Sequence, residues 1–251
     1  MVGKQIIHLP EVDSTNNYVA KLISAGKCTH GTVILADMQT SGKGQRGNVW
    51  QPNQGTQFTA SYYLDTAFLS VDKLCYFNMS VALAVKEAIS NFVSPEVKIK
   101  WPNDLFVIDK KNAGILIEAQ WKEGKLKGAI VGIGVNLQQV EAVEHAISIQ
   151  ELSGEIVSNI QFLDKLSLIL TEYFQFLKSY EFMKIKTLYE SSMWKKDEII
   201  FMKNRSDDQV FEGVIRGIDA QGDLQVEKGG SLAVYRNQEL DFSLNYARKE
   251  K

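Results

Sequence analysis

A chain of 251 residues is long enough to bury a sizeable core, either as one large domain or as a medium domain with a small one attached. With 45% hydrophobic residues and only four prolines it reads as an ordered globular protein, and a formal charge of -2 excludes a global basic field, so any anion site must be a local cluster. Cys28 and Cys75 are too few for a disulfide framework, residues 1–8 lack the apolar core of a signal peptide, and no run reaches the ~18 apolar residues of a membrane span, so a cytoplasmic protein without membrane contact is expected.

Asp13, Ser14, Thr15, Asn16 and Asn17 supply N-cap side chains ahead of the apolar stripe Tyr18, Val19, Leu22 and Ile23, and Gly26 ends it, which predicts a helix over 15–25. Residues 1–12 are too few for a helix-turn-helix. Strands follow at 32–38 and 56–64. Between them, Gly42, Gly44 and Gly47 stand with Lys43 and Arg46 and no acid, a loop that can offer an anion both backbone N–H groups and positive charge. Residues 42–47 also satisfy G-x-G-x-x-G. A dinucleotide site needs a helix after that pattern to receive the pyrophosphate, however, and here turn formers and a strand follow, so a dinucleotide oxidoreductase is rejected.

From Ser70, read as the N-cap, a 3.6-residue apolar period through Phe92 predicts a long core helix. Residues 97–101 and 105–108 read as strands around a Pro102-Asn103-Asp104 turn, Lys110-Lys111-Asn112 as a second polar turn, and 113–119 and 126–135 as a further pair across 122–125, which together make a meander. Amphipathic helices are expected over 159–178 and 182–192. After Trp194 short β-type runs separated by polar turns fit a small antiparallel barrel, so the expected domains are 1–194 and 195–251. His8, His30 and His145 are scattered and take no role.

Five motifs, namely Asp13-Ser14-Thr15-Asn16, the loop 39–50, Lys100-Trp101-Pro102-Asn103-Asp104, the run 111–118 and Gly132-Ile133-Gly134-Val135-Asn136, resemble in content and order those of biotin protein ligases. The resemblance covers roughly 11–138 and, weakly, the C-terminal part. It implies an α+β protein: a mixed α/β catalytic domain of the biotin/lipoate ligase type followed by a small SH3-like β-barrel. It also implies the activity: MgATP activates the biotin carboxylate to biotinyl-5′-AMP, and biotin then passes to one lysine of a biotin carboxyl carrier protein or domain of a biotin-dependent carboxylase. The enzyme would be of the monofunctional type, biotin–[acetyl-CoA-carboxylase] ligase, without nucleic acid, as a monomer or homodimer.

By matched position, Ser14, Thr15, Gln39, Gly42, Gly114, Leu116 and Gly132 would surround biotin, whose ureido ring needs a few hydrogen-bond partners in a mostly apolar pocket. Gly44, Gln45, Trp50, Asn103 and Asn136 would serve the nucleotide, and Asp104 the metal ion. A carboxylate attacking a phosphate brings two anions together, so Lys43, Arg46 and Lys111 would be the catalytic cations. The family's loop has arginine where this chain has Gln45, a position that helps retain the adenylate; Arg46 is the expected substitute, and a leakier enzyme is the other consequence. Lipoate–protein ligase and a non-catalytic biotin sensor are the competing readings. Trp101 is balanced between packing and site, and Arg205, Arg216 and Arg236 read as ordinary surface charges.

Overall fold

The computed structural model describes residues 1–45, 50, 56–138 and 145–242. Strands β1 (Gln5–Val12), β2 (Thr32–Gln39), β3 (Gln57–Asp65), β4 (Val97–Lys100), β5 (Asp104–Val107), β6 (Lys110–Lys122) and β7 (Lys125–Asn136) form one sheet in the order β1-β2-β3-β7-β6-β5-β4. Only β1 and β2 run parallel. Helix α1 (Thr15–Ser24) covers one face, and α2 (Leu74–Ser90), α4 (Asn159–Lys178) and α5 (Phe182–Ser191) lie on the other; α3 (Ile149–Ser153) is a short turn of helix before α4.

The period of two along the strands assigns their residues to these layers. Ile34 meets Val19 of α1, whereas its neighbours Val33 and Leu35 join the large core with α2 and α4. On β3, Phe58 lies edge-on against Phe162 of α4 with ring centres 4.9 Å apart, and Tyr62 faces Ser167 of the same helix. Ser61, one residue before Tyr62, therefore points to the opposite face, towards the start of α1.

The meander of β4 to β7 stands as expected, but its second turn lies elsewhere. Ile108 and Asp109 both have positive φ and make the two-residue connection, while Lys110, Lys111 and Asn112 already belong to β6. Polarity alone pointed to the lysines. Asp109 tolerates the left-handed conformation, and its carboxylate accepts from Trp194 Nε1 at 2.9 Å, while Asn112 is fully buried and donates to the carbonyls of Asn136 and Ile147. One further expectation changes: α2 starts at Leu74, behind a 3₁₀ turn, Val71–Lys73, whose N-cap is Ser70. Residues 5–12, which carried no expected element, form β1.

Strands β8 (Ile199–Asn204), β9 (Val210–Ile218), β10 (Leu224–Lys228), β11 (Ser231–Tyr235) and β12 (Leu240–Asp241) form a second, antiparallel sheet in the order β11-β10-β9-β8-β12. Among the described residues its end strands β11 and β12 do not pair with each other, so the small antiparallel barrel expected from sequence stands there as a five-stranded antiparallel sheet. The second sheet packs directly on the first unit. Ile200, Met202 and Val226 belong to the same buried cluster as Phe77 and Tyr189, Trp101 Nε1 donates to the Gly222 carbonyl at 2.9 Å, and the Ile218 amide donates to Glu190. No described helix is long and apolar enough to cross a membrane.

Candidate active site

The α1 face of the sheet has a floor made by register. Ser61, Gly132 and Leu116 are lateral neighbours across β3, β7 and β6, and Thr59, Gly134 and Gly114 form the adjacent row. Two glycines at alternate positions of β7 leave space on one face. At Gly134 a Cβ would come within 2.5 Å of the Trp50 ring, and at Gly114 within 3.2 Å, so the indole lies flat on bare backbone. Trp50 Nε1 donates to Gln57 Oε1 at 3.0 Å, Gln57 Nε2 to Asn136 Oδ1 at 3.1 Å, and Asn136 Nδ2 to the Lys111 carbonyl at 3.4 Å. Asn136 thus supports Trp50 from below and does not line the cavity. Gly42 closes the neck of the loop: its carbonyl accepts from the Trp50 amide at 3.0 Å, and a Cβ there would meet the Trp50 carbonyl oxygen at 2.7 Å.

The cavity above this floor has a volume of about 280 Å³ and changes character along its length. One end is neutral. Ser14 occupies the N-cap position of α1, yet its buried side chain makes no cap bond and lines the cavity instead. The Thr15 amide donates to Gln39 Oε1 at 2.8 Å, and Asn16 Nδ2 to Glu118 Oε2 at 2.6 Å, which fixes both amide orientations. Three short contacts then remain, Thr15 Oγ1 to Gln39 Oε1 at 3.0 Å, Ser61 Oγ to Thr15 Oγ1 at 2.6 Å and Ser61 Oγ to Asn16 Oδ1 at 2.5 Å. Only the two hydroxyl protons can serve them. One of the three contacts therefore lacks a proton, and the oxygen left without one can accept from a ligand bearing N–H groups.

The other end is cationic. Among the described residues, Lys43, Lys100, Lys111 and Arg205 line the cavity against Asp104 and Asp241, an excess of two positive charges in a chain that is negative overall. Lys111 Nζ pairs with Asp104 Oδ1 at 2.8 Å and lies 5.9 Å from the Trp50 ring centre. Asn103 is pinned to β6, donating to the Ile115 carbonyl at 2.5 Å and accepting the Ile115 amide on its own carbonyl at 3.1 Å. Lys43 donates to Asn17 at 2.6 Å. Burial pulls the Lys100 ammonium down to about 8, against the neighbouring Asp104. Gln45 Oε1 accepts from Asn237 Nδ2 at 3.3 Å and Gln238 Nε2 at 3.4 Å, so the glycine loop is tied to the turn between β11 and β12.

Residues 9–136 match the Biotin/lipoate A/B protein ligase family. The chain belongs to this family. A curated relative, the Biotin--[acetyl-CoA-carboxylase] ligase of Paracoccus denitrificans, is 30% identical over 227 residues, covering 86% of this chain and 91% of the relative. The Bifunctional ligase/repressor BirA of Bacillus subtilis is 28% identical over 233 residues, covering 90% of this chain and 70% of its own. Among solved structures, the biotin protein ligase from Aquifex aeolicus in complex with biotin and ATP superposes with a TM-score of 0.79 at 26% identity, over 95% of this chain and 98% of that one.

For a member of the biotin/lipoate A/B protein ligase family, the residues singled out from sequence cluster in an informative way. Ser14, Thr15, Gln39, Lys43, Gly44, Gln45, Trp50, Asn103, Asp104, Lys111, Gly114, Leu116 and Gly132 all line one cavity. Gly42 and Asn136 stand behind it, and Arg46 lies outside the described residues. Sequence reasoning passed over Asn16, Lys100 and Gly134, although each stood inside a quoted motif, and Gly134 repeats Gly132 at the strand period. Asp241 and Phe242 carried no signal, and Arg205 was read as a surface charge: these come from the second sheet, and only tertiary packing brings them here.

Proposed function

We propose that this protein is a biotin protein ligase, which activates biotin with ATP to biotinyl-5′-AMP and transfers it to a lysine of a biotin carboxyl carrier protein or domain. The observation that carries the reading is the polarity of the cavity, neutral and rich in acceptors at Thr15, Asn16 and Gln39 and cationic at Lys111, Lys100 and Arg205. A cyclic urea with two N–H groups fits the first end. A carboxylate meeting a triphosphate needs the second. A dithiolane ring carries no N–H donor, so lipoate would leave the acceptors of the first end unanswered, at a cost of about 1–3 kcal/mol for each buried polar group.

In this reading Ser14, Thr15, Gln39, Leu116, Gly114 and Gly132 hold biotin, with Gly42 keeping the loop neck narrow. Gly44, Gln45, Trp50 and Asn103 face the nucleotide, and Asn136 holds Trp50 in place. Lys111 and Lys43, with Arg46, are the catalytic cations. The Lys111–Asp104 pair is partly exposed, so it contributes on the order of 1 kcal/mol or less and is easily exchanged. An incoming α-phosphate draws Lys111 from Asp104 and leaves that carboxylate for the metal ion. Mg²⁺ fits such a position, since it is commonly held by one or two carboxylates with phosphate oxygens and water. Among the described residues there is no group of three or more His, Cys, Asp or Glu that would serve as a self-sufficient metal cage. When bound, Mg²⁺ neutralises phosphate charge.

Lys111 is set between the two ends, where the carboxylate oxygen meets the α-phosphorus and charge accumulates. In the second step the carrier lysine's amine attacks the acyl carbonyl, the bond to the phosphate oxygen breaks and AMP leaves. Residues 1–194 would carry both substrates, and residues 195–251 would complete the nucleotide end. Biotin-dependent ATP–pyrophosphate exchange without any carrier tests the first step, and incorporation of labelled biotin into a carrier domain, absent when its acceptor lysine is replaced by arginine, tests the second.

A further inference from the structure

Lys100 is held by more of the molecule than the other cations of the cavity. It ends β4, and its Nζ lies 5.1 Å from the ring centre of Phe106 on β5, 5.7 Å from that of Phe242 after β12, and 5.9 Å from that of Trp194 after α5. Three rings from three parts of the chain surround one ammonium, an arrangement that stabilises a cation and fixes its place. The charged groups around it are Asp104 at the start of β5, Lys111 on β6, Asp241 on β12 and Arg205 after β8. An apolar side chain would fill the same cage without the desolvation that burying an ammonium entails. Among the described residues, Lys100, Lys111 and Arg205 are set against Asp104 and Asp241, so the group keeps a positive excess that suits a bound anion.

The contacts also give its place along the cavity. From Thr15 and Asn16 beside Gly132, they run through Gly134, Trp50 and Gly114 to Lys111, then to Asp104, and only then to Lys100, Asp241 and Arg205. Lys100 therefore lies beyond Lys111 as seen from the acceptor-rich end. We propose that Lys100 is the cation that receives the β- and γ-phosphates of ATP and the pyrophosphate they become. This rests on the ligase reading given above. In that step a carboxylate oxygen bonds to the α-phosphorus, the bond from that phosphorus to the α,β-bridging oxygen breaks, and the bridging oxygen departs with the electron pair as part of pyrophosphate. A fixed ammonium beside the departing group takes up the charge that accumulates there. Phe242 closes the cage, so the second sheet enters the nucleotide half of the reaction through this side chain.

The test uses the full chain and its Lys100→Met, Lys100→Arg and Phe242→Leu variants. Biotin affinity is measured by calorimetry without nucleotide, and ATP–pyrophosphate exchange is measured against ATP and pyrophosphate concentration. Lys100→Met is expected to raise both half-saturating concentrations about 10- to 100-fold, the value of one charged contact, and to leave biotin affinity within about twofold. Lys100→Arg restores most of the loss, because guanidinium also stacks on rings and stays charged. Phe242→Leu shifts both constants the same way by a smaller factor. Equal weakening of biotin and nucleotide, or unchanged constants in Lys100→Met, would overturn the inference. If Lys100→Met does not fold, Lys100→Gln and Phe242→Leu decide, each by a rise in the ATP and pyrophosphate constants at unchanged biotin affinity. Wild-type protein inert towards biotin would refute the ligase reading, whereas an active wild type with an indifferent Lys100→Met would refute this inference alone.

Discussion

At Gly132 the missing side chain decides what the cavity can hold. A Cβ built there lands on the Asn16 amide, the group whose orientation Glu118 fixes. Gly132→Ala is therefore expected to weaken biotin about tenfold or more by calorimetry, since displacing Asn16 disturbs an acceptor cluster in which each bond contributes about 0.5–1.5 kcal/mol. Lys111→Met should leave biotin binding measurable and cut the exchange rate by at least about 100-fold, the usual loss when a group that stabilises transition-state charge is removed. Lys100 gives a pH signature in stability. Its folded-state value is lowered from 10.5 to about 8, so between these values the unfolded chain binds more protons than the folded one. The contribution of Lys100 to stability then rises with pH across that window. Chemical denaturation of the wild type and Lys100→Met at pH 7.5 and pH 10 should show the difference between them shifting in the wild type's favour at the higher pH, whatever the half-buried cysteines and buried tyrosines, which act the other way, do to both.

Among the elements, α1 and the meander were largely legible in the sequence because each repeats one local rule. A 3.6-residue stripe ended by Gly26 made α1 legible, although its N-cap Ser14 turns its side chain to the cavity, and alternation between turn formers made β4 to β7 legible. Two elements that escaped were the five-residue α3, too short to show a period, and β1, whose residues alternate only weakly in burial and take their register from β2. The misplaced turn at Lys110–Asn112 has the same origin, since a polar run marks a turn only when its side chains stay in water and Asn112 is buried by long-range bonds. Within the site, residues carried by motifs were legible, while Arg205, Asn237 and Phe242 depend on how the second sheet docks and no local pattern encodes that. The Gln45 clasp is one such docking contact. Gln45→Ala removes the acceptor for both Asn237 and Gln238, and it should speed amide exchange in residues 40–45 and release of the adenylate by up to about tenfold, the worth of a neutral bond or two. In the core, Phe162→Ala should cost about 3–5 kcal/mol in denaturant unfolding, because its ring fills the space between α4 and Phe58 of β3.

For the whole molecule, the cationic cavity contrasts with a surface that is negative in sum. Binding of a triphosphate should therefore weaken with added salt more steeply than binding of biotin, which carries a single carboxylate and places its ring at the neutral end. The two sheets share one buried cluster and meet at Trp101, whose indole donates to Gly222, so the second sheet is part of the cavity wall. The most direct measurement is ATP–pyrophosphate exchange with Mg²⁺ and no carrier, run once with biotin and once with lipoate. The account requires exchange with biotin alone. Exchange with lipoate alone, or with neither while biotin still binds, would contradict it.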